Sequence, residues 1–408
     1  MRRSPLLPIF LIVVVDVLGL TIILPLLPFY AERLGASPAQ VGLLVATYAG
    51  CQLVAGPLLG RLSDRTGRKP LLLVSQAGTL AGFLVLANAA ALWVVFLSRA
   101  IDGLTAGNLS LAQAYIADVT EPKDRAKSFG VIGVAFGIGF LLGPALSGYL
   151  SQFGYSVPIY AAAGLSAMSI LCTALLLPGT RPHAGADAEG PVAPGGKRLS
   201  VLDWSAYAAY FKDPKLAPLL WQFFCFTFSF ALFTSGFALY AERRITFRGH
   251  FFGAKEVGYV FAYAGALGIV LQGGLIGRLV KRFGELPLIA AGFAAAAAGY
   301  GVLGFATFLA PLLVASTVAS FGNGVLRPTL TSQITQRVSR SEQGEVLGLT
   351  QSLMSVAQIT APVLGGLLID HALLLPWALF AAAVAAAGLA FRREAVDPGA
   401  AAIPNAPR

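Results

Sequence analysis

The chain has 408 residues, of which 56% are hydrophobic and only 12% charged, with a mean hydropathy of +0.74. A water-soluble domain carries about 25% charged residues, so composition argues against a soluble enzyme and for an integral membrane protein. The net charge of +10 does not point to nucleic acid, because most basic residues sit in alternate short connections between apolar stretches.

Met1-Arg2-Arg3 precedes an apolar run from Leu6 to Tyr30, too long for a signal-peptide core and without a small-residue cleavage site, so it reads as a first spanning helix. Eleven more apolar stretches follow, giving twelve spans: 6–30, 40–60, 70–90, 92–116, 128–150, 157–177, 216–240, 257–279, 286–308, 311–334, 344–369 and 373–390. Segments of this length exclude barrel strands, and backbone amides in lipid must bond within their own segment, so an all-α membrane protein is expected. Of the 29 Lys and Arg residues, Arg33, Arg243, Arg244, Arg248 and Lys255 fall in the loops expected outside, and Arg99 and Arg327 within the membrane. The rest share one side, which the positive-inside bias makes cytoplasmic, with both termini there and a bacterial inner (plasma) membrane as the location.

Residues 179–214 are rich in Pro, Gly, Ala and charge and read as a cytoplasmic linker with a short interfacial helix around 201–211; 394–408 reads as a tail. They leave two six-helix halves, 1–178 and 215–393. The connection Gly60-Arg61-Leu62-Ser63-Asp64-Arg65-Thr66-Gly67-Arg68-Lys69 has a degraded copy at Gly277-Arg278-Leu279-Val280-Lys281-Arg282-Phe283-Gly284. Tyr30-Ala31-Glu32-Arg33 returns as Tyr240-Ala241-Glu242-Arg243, Val41-Gly42 as Val257-Gly258, and Gly143-Pro144 as Ala361-Pro362. Tandem halves with a site between them at mid-depth describe a secondary transporter.

Asp16 stands near the middle of the first span among Val, Leu and Gly. A carboxylate there costs roughly 3 kcal/mol on insertion scales. It must face a wet cavity, carry a proton or pair with a cation, which suits a proton carrier; a structural carboxyl bonded to a neighbouring helix is the alternative. Arg99 and Asp102 share a face of the fourth span. They either neutralise each other, or Arg99 holds Asp16 or Asp102 ionised until substrate or proton displaces it. Asn108 lies one to two turns deeper. Arg327, followed by Pro328, is the one charge well inside the second-half spans; it calls for Asp16, Asp102 or an anionic substrate group across the cavity. Gln113, Gln222, Tyr263, Gln272 and Gln358 are further candidate lining, with Tyr48, Gln52, Gln76, Tyr115, Gln333 and Gln351. The aromatic run 223–230 covers every face of its helix, so part of it is expected to face lipid.

Gly60 to Lys69 resembles the loop motif of the major facilitator superfamily at every defining position. Arg99-Ala100-Ile101-Asp102-Gly103 is similar to its fourth-helix motif. Gly139-Phe140-Leu141-Leu142-Gly143-Pro144-Ala145-Leu146-Ser147-Gly148 resembles the fifth-helix motif of its drug:proton antiporters. With Tyr115-Ile116-Ala117-Asp118 and Asp124-Arg125, the first half resembles the tetracycline-type exporters. The resemblance implies the superfamily's twelve-helix fold, a role for Asp16 and Arg99 in proton transfer, and antiport through Gly139, Gly143, Pro144 and Gly148. It also implies a cytoplasmic gate made by Gly60, Asp64, Arg65, Gly67, Arg68, Asp118 and Arg125, in which Asp64 meets the start of the eleventh helix when the site faces outward. Lys281 stands where Asp64 would repeat. The acid on the third helix and the histidine on the eighth of tetracycline exporters have no match in Gly78-Thr79-Leu80-Ala81-Gly82 and Gly265-Ala266-Leu267-Gly268.

The three cysteines lie in apolar segments and the three histidines in loops or at a helix end, so no disulfide framework, metal cluster or cofactor is indicated. With no hydrolase triad or phosphate-binding glycine loop, an enzyme is not expected. The expectation is a monomeric proton-driven exporter of small amphipathic compounds, its partners being substrate, protons and lipid. Uncoupled efflux of a sugar or metabolite, and a membrane sensor, are the alternatives.

Overall fold

The computed structural model describes residues 6–119, 125–178, 210–339 and 342–391; most of the expected linker and the tail lie outside them. The first half holds α1 (Leu6–Arg33), α2 (Pro38–Thr66), α3 (Arg68–Ala87), α4 (Leu92–Leu104), α5 (Asn108–Val119), α6 (Arg125–Leu150) and α7 (Ser156–Leu176). The second holds α8 (Ala217–Arg244), α9 (Ala254–Val270), a π turn (Leu271–Leu275), α10 (Ile276–Phe283), α11 (Glu285–Phe305), α12 (Leu309–Gln336), α13 (Gln343–Asp370) and α14 (Leu374–Ala390). A two-stranded hairpin, Thr246–Phe247 with His250–Phe251, joins α8 to α9. Among the described residues, ten helical stretches are long and apolar enough to cross a membrane. The fourth span, broken into α4 and α5, and the shorter α14 complete the expected twelve.

The halves repeat their packing. In the first, α1 lies against α6 and α7, α3 against α4 and α7, and α2 against α4. In the second, α8 lies against α13 and α14, α11 against α12 and α14, and α9 against α12. The repeated tyrosines do the same work. Tyr30 donates its hydroxyl hydrogen bond to Leu86 O at 2.9 Å, and Tyr240 donates to Leu303 O at 2.6 Å. Each ties the first helix of its half to the end of the third.

Two pairs of helices make the main joins between the halves, α2 with α13 and α6 with α9. Their glycines act as a ruler. Away from the basic loops the backbones touch: Gly42 meets the Pro362 carbonyl and Gly366 that of Pro38. A Cβ on Gly258 would lie 2.5 Å from Pro144 O, and one on Gly148 2.7 Å from Lys255 O. Toward the basic loops, Gly50, Gly56 and Gly60 on α2 and Gly268, Gly273, Gly274 and Gly277 along the eighth span meet nothing within 4 Å. The halves are closed on one face and parted on the face that carries the basic loops.

Four local expectations change. The second span runs to Thr66, so most of the Gly60–Lys69 stretch is helix and Gly67, with φ +95°, makes the whole corner. Its start is set by Ser37, whose side chain and that of Gln40 cap each other's backbone N–H groups. The fourth span breaks at Thr105–Gly107, where one buried side chain satisfies the freed backbone: Ser75 donates to Thr105 O and accepts from Gly107 N at 2.9 Å. The eighth span carries the π turn, a local excess of chain that marks functional sites more often than plain packing. Finally, little of the aromatic run on α8 faces outward. Phe223, Phe226 and Phe228 are buried and Phe224 and Phe230 half-buried, because α12, α13 and α14 enclose the helix.

Candidate functional site

The expected proton-coupling trio separates into two polar pockets. Asp16, half-buried on α1, lies within hydrogen-bonding reach of Ser169 on α7 and Gln76 on α3. Gln76 Nε2 donates to Ser169 Oγ at 2.7 Å, and Ser166 Oγ donates to Gln76 O at 3.3 Å. Gln76 Oε1 is buried and has no donor. No cation stands within ion-pairing distance of Asp16 among the described residues.

Arg99 and Asp102 form the second pocket. They pair at 3.3 Å with side chains 5% exposed. Thr79 on α3 reaches Asp102, and Tyr48 on α2 lies beside both charges. Arg99 Nη2 has no acceptor. The glycine closing this motif sets the distance to α2: a Cβ on Gly103 would stand 2.6 Å from Tyr48 O. On α3, Gly78 makes room for Thr105 and Gly82 for Asp102. Gly78 to Gly82 is therefore a groove of small residues that seats the fourth span.

Helix α3 links the pockets, because Gln76 and Thr79 are one helical turn apart. The sequence reading gave Thr79 no part, and it missed Ser166 and Ser169. The signal was present: Ser166, Ser169 and Thr173 recur at i, i+3 and i+7 on an otherwise apolar helix, and all are buried.

The other candidates disperse. Gln222 is buried and donates to Gly388 O at 3.0 Å, so it joins α8 to α14. Asn108 is half-buried with an unpaired Oδ1, Gln113 is exposed, and Gln358 is half-buried. Tyr263 shares a 2.7 Å hydrogen bond with Thr317. Arg327 is exposed, though protein surrounds most of it, and no ion-pair partner stands beside it among the described residues. The π turn lies close by: Gly324, one turn before Arg327, abuts Leu271, with Gln272 Nε2 4.0 Å from where a Cβ would stand. Gln272 itself is exposed.

On the basic face Arg68 is the centre of the gate candidates. It pairs with Asp64 at 2.5 Å and with Asp118 at 2.9 Å, and donates to Ser63 Oγ at 2.5 Å. Asp64 makes no hydrogen bond or ion pair with α13 among the described residues, which fits a parted basic face. Arg65 is exposed and engaged. Asp124 and the side chain of Arg125 lie outside the described residues.

The antiporter-type glycines serve two neighbours. Gly139 and Gly143 bring α6 against Val17 and Thr21 of α1, where Thr21 Oγ1 donates to Gly139 O at 2.8 Å. Gly148 faces α9. Pro144 has no N–H, so the Phe140 carbonyl loses its helical donor, and Gly265 of α9 approaches that oxygen.

The family model described as Major Facilitator Superfamily matches residues 9–300 and 252–405. Tetracycline resistance protein, class C, of Escherichia coli is 31% identical over 358 residues, 86% of each chain. Tetracycline resistance protein, class G, of Vibrio anguillarum is 32% identical over 371 residues, 89% of each chain. The crystal structure of the human organic anion transporter MFSD10 superimposes with a TM-score of 0.71 at 24% identity, covering 96% of this chain and 99% of that one.

Proposed function

This chain belongs to the Major Facilitator Superfamily and is a membrane transporter, not an enzyme, and from that premise we propose that it exports small amphipathic compounds in exchange for protons, with the basic face in the cytoplasm. The observation that carries the coupling is the setting of Asp16. Its carboxyl has Ser169 and Gln76 as neutral partners, and the same pocket holds a buried acceptor without a donor, Gln76 Oε1. A carboxyl held by neutral donors and acceptors alone can take and give a proton without breaking an ion pair.

Arg99 and Asp102 act as positioning residues. Their pair meets the Asp16 pocket through α3, so a change in one repacks the helix that carries Gln76. Arg327, beside the π turn, offers a cation to substrate in the opened cavity, and the halves rock between the closed-outer state described above and its converse. The 31% identical relative named for tetracycline resistance supports small amphipathic cargo.

The test is reconstitution in liposomes under an imposed pH gradient, with cationic, neutral and anionic compounds in the panel. The expected result is proton counterflow with at least one compound, reduced at least tenfold in Asp16→Asn while substrate exchange across equal pH persists. Undiminished counterflow in that variant would overturn the assignment of Asp16.

A further inference from the structure

The closed face carries a second cluster of titratable groups, built from the repeated Tyr-Ala-Glu-Arg sequences that end α1 and α8. Glu32 of α1 accepts a hydrogen bond from Arg243 Nη2 of α8 across the boundary between the halves. Arg243 Nη1 lies 3.4 Å from Glu242 Oε2, and the carboxyls of Glu242 and Glu32 are within hydrogen-bonding reach of each other. Side-chain exposures of 16% for Glu32 and 37% for Glu242 leave both in touch with water. A cleft of about 410 Å³ opens beside them, lined by Phe29, Glu32, Arg33, Tyr155 and Glu242.

The cluster is not two-fold symmetric. Arg33, the counterpart of Arg243, stands over the Tyr155 ring at 5.8 Å. Arg244 turns to Tyr240, Lys255 donates to Gln152, and Glu256 caps Gly253 N. Among the described residues of this cluster, Arg243 is thus the cation directly between its two carboxyls. Two carboxylates in mutual contact cannot both stay ionised, and one shared proton with Arg243 makes the cluster neutral.

We propose that Glu32 and Glu242 form a proton-binding site across the two halves, filled when the outer face is closed and emptied when it opens. Opening separates α1 from α8. Glu242 then keeps its neighbour Arg243, loses its contact with Glu32, and the proton returns to the side it came from. No proton crosses the membrane through this site. It is a sensor: acid outside favours the closed-outer state, because that state binds the extra proton. Closure follows substrate release in an exporter, so the acidity that drives exchange also speeds the return step. The inference rests on alternating access and not on which residue carries the transported proton.

Spin labels on Phe153→Cys and Phe305→Cys, exposed at the outer ends of opposite halves, report the opening by distance measurement in a background with the native cysteines replaced by serine. Lowering the pH from 8 to 5 is expected to raise the ratio of closed to open molecules at least fivefold. In Glu242→Gln, which mimics a permanently protonated carboxyl, the ratio is expected to stay high and change less than twofold; Glu32→Gln is read the same way should the first variant not fold. An unchanged response in both glutamine variants overturns the proposal; the same result with the response lost in Asp16→Asn assigns the pH dependence to Asp16 instead.

Discussion

The two corners on the basic face share one backbone and differ in charge. Gly67 and Gly284 have φ of +95° and +77° with extended ψ, a conformation open essentially to glycine. Each sends the next residue's side chain to the end of the fourth or tenth span. In the first half that residue is Arg68, bound to Asp64 and Asp118. In the second it is Glu285, which accepts from Ser332 Oγ at 2.7 Å and Gln333 Nε2 at 2.5 Å. The fold therefore demands the corner and a polar brace, but no particular sign of charge. Only the first corner has an acid on the helix before its glycine, Asp64, that a moving helix end could recruit; Lys281 takes the matching place in the second. The first corner can be a switch, whereas the second is a brace.

The largest effect is expected from Arg68→Ala. It leaves two carboxylates facing each other without their cation, a loss of about 2 kcal/mol once partial exposure is discounted. Transport should fall below a tenth of wild type with a lower melting temperature. Asp64→Asn tests the switch alone: expression and melting should hold while the transport rate drops about tenfold, and full activity would reduce the first corner to a brace as well. Arg327→Ala asks whether this exposed cation beside the π turn meets substrate. KM for anionic panel members should rise about tenfold, roughly 1.4 kcal/mol, with less change for cations. Glu285→Gln should cost about 1.5 kcal/mol of stability, the lower end for one charged hydrogen bond, and change transport less than twofold. The smallest effect concerns Glu342, at the start of α13. The Ser339 hydroxyl and backbone N–H hold its carboxyl below the usual range. The bonds it accepts persist through the usual carboxylate range and are lost as pH falls through its depressed folded-state value, so amide protection at Ser339 and in the first turn of α13 should decline only on stronger acidification. Glu342→Gln, which keeps an acceptor oxygen but does not titrate, should show protection that no longer changes with pH.

Periodicity made the twelve spans and the halves legible, because an apolar run of membrane length has few other readings, and the superfamily resemblance carried the fold. What escaped the sequence was set by side chains far along the chain. The break in the fourth span depends on Ser75, 30 residues from Thr105. Asp16 was legible as an anomaly, but its partners were not, since Gln76 and Ser169 come near it only when α3 and α7 pack together. Arg99 and Asp102 were legible as a pair from their spacing, and their separation from Asp16 follows from which faces of α3 meet α1 and α4. The Tyr-Ala-Glu-Arg copies were visible as a repeat; only the closed face shows that the two copies meet.

The π turn at Leu271–Leu275 has a mechanical consequence. It sits between the part of the eighth span pressed against α6 and the part that stands free. A π turn holds about one residue more than an α turn, and rewinding it would rotate everything beyond by about 100° and advance it by about 1.5 Å. The turn is therefore placed as a clutch: rewinding it would swing α10, with Arg278, Lys281 and Arg282, and leave the glycine contacts of the opposite face in place.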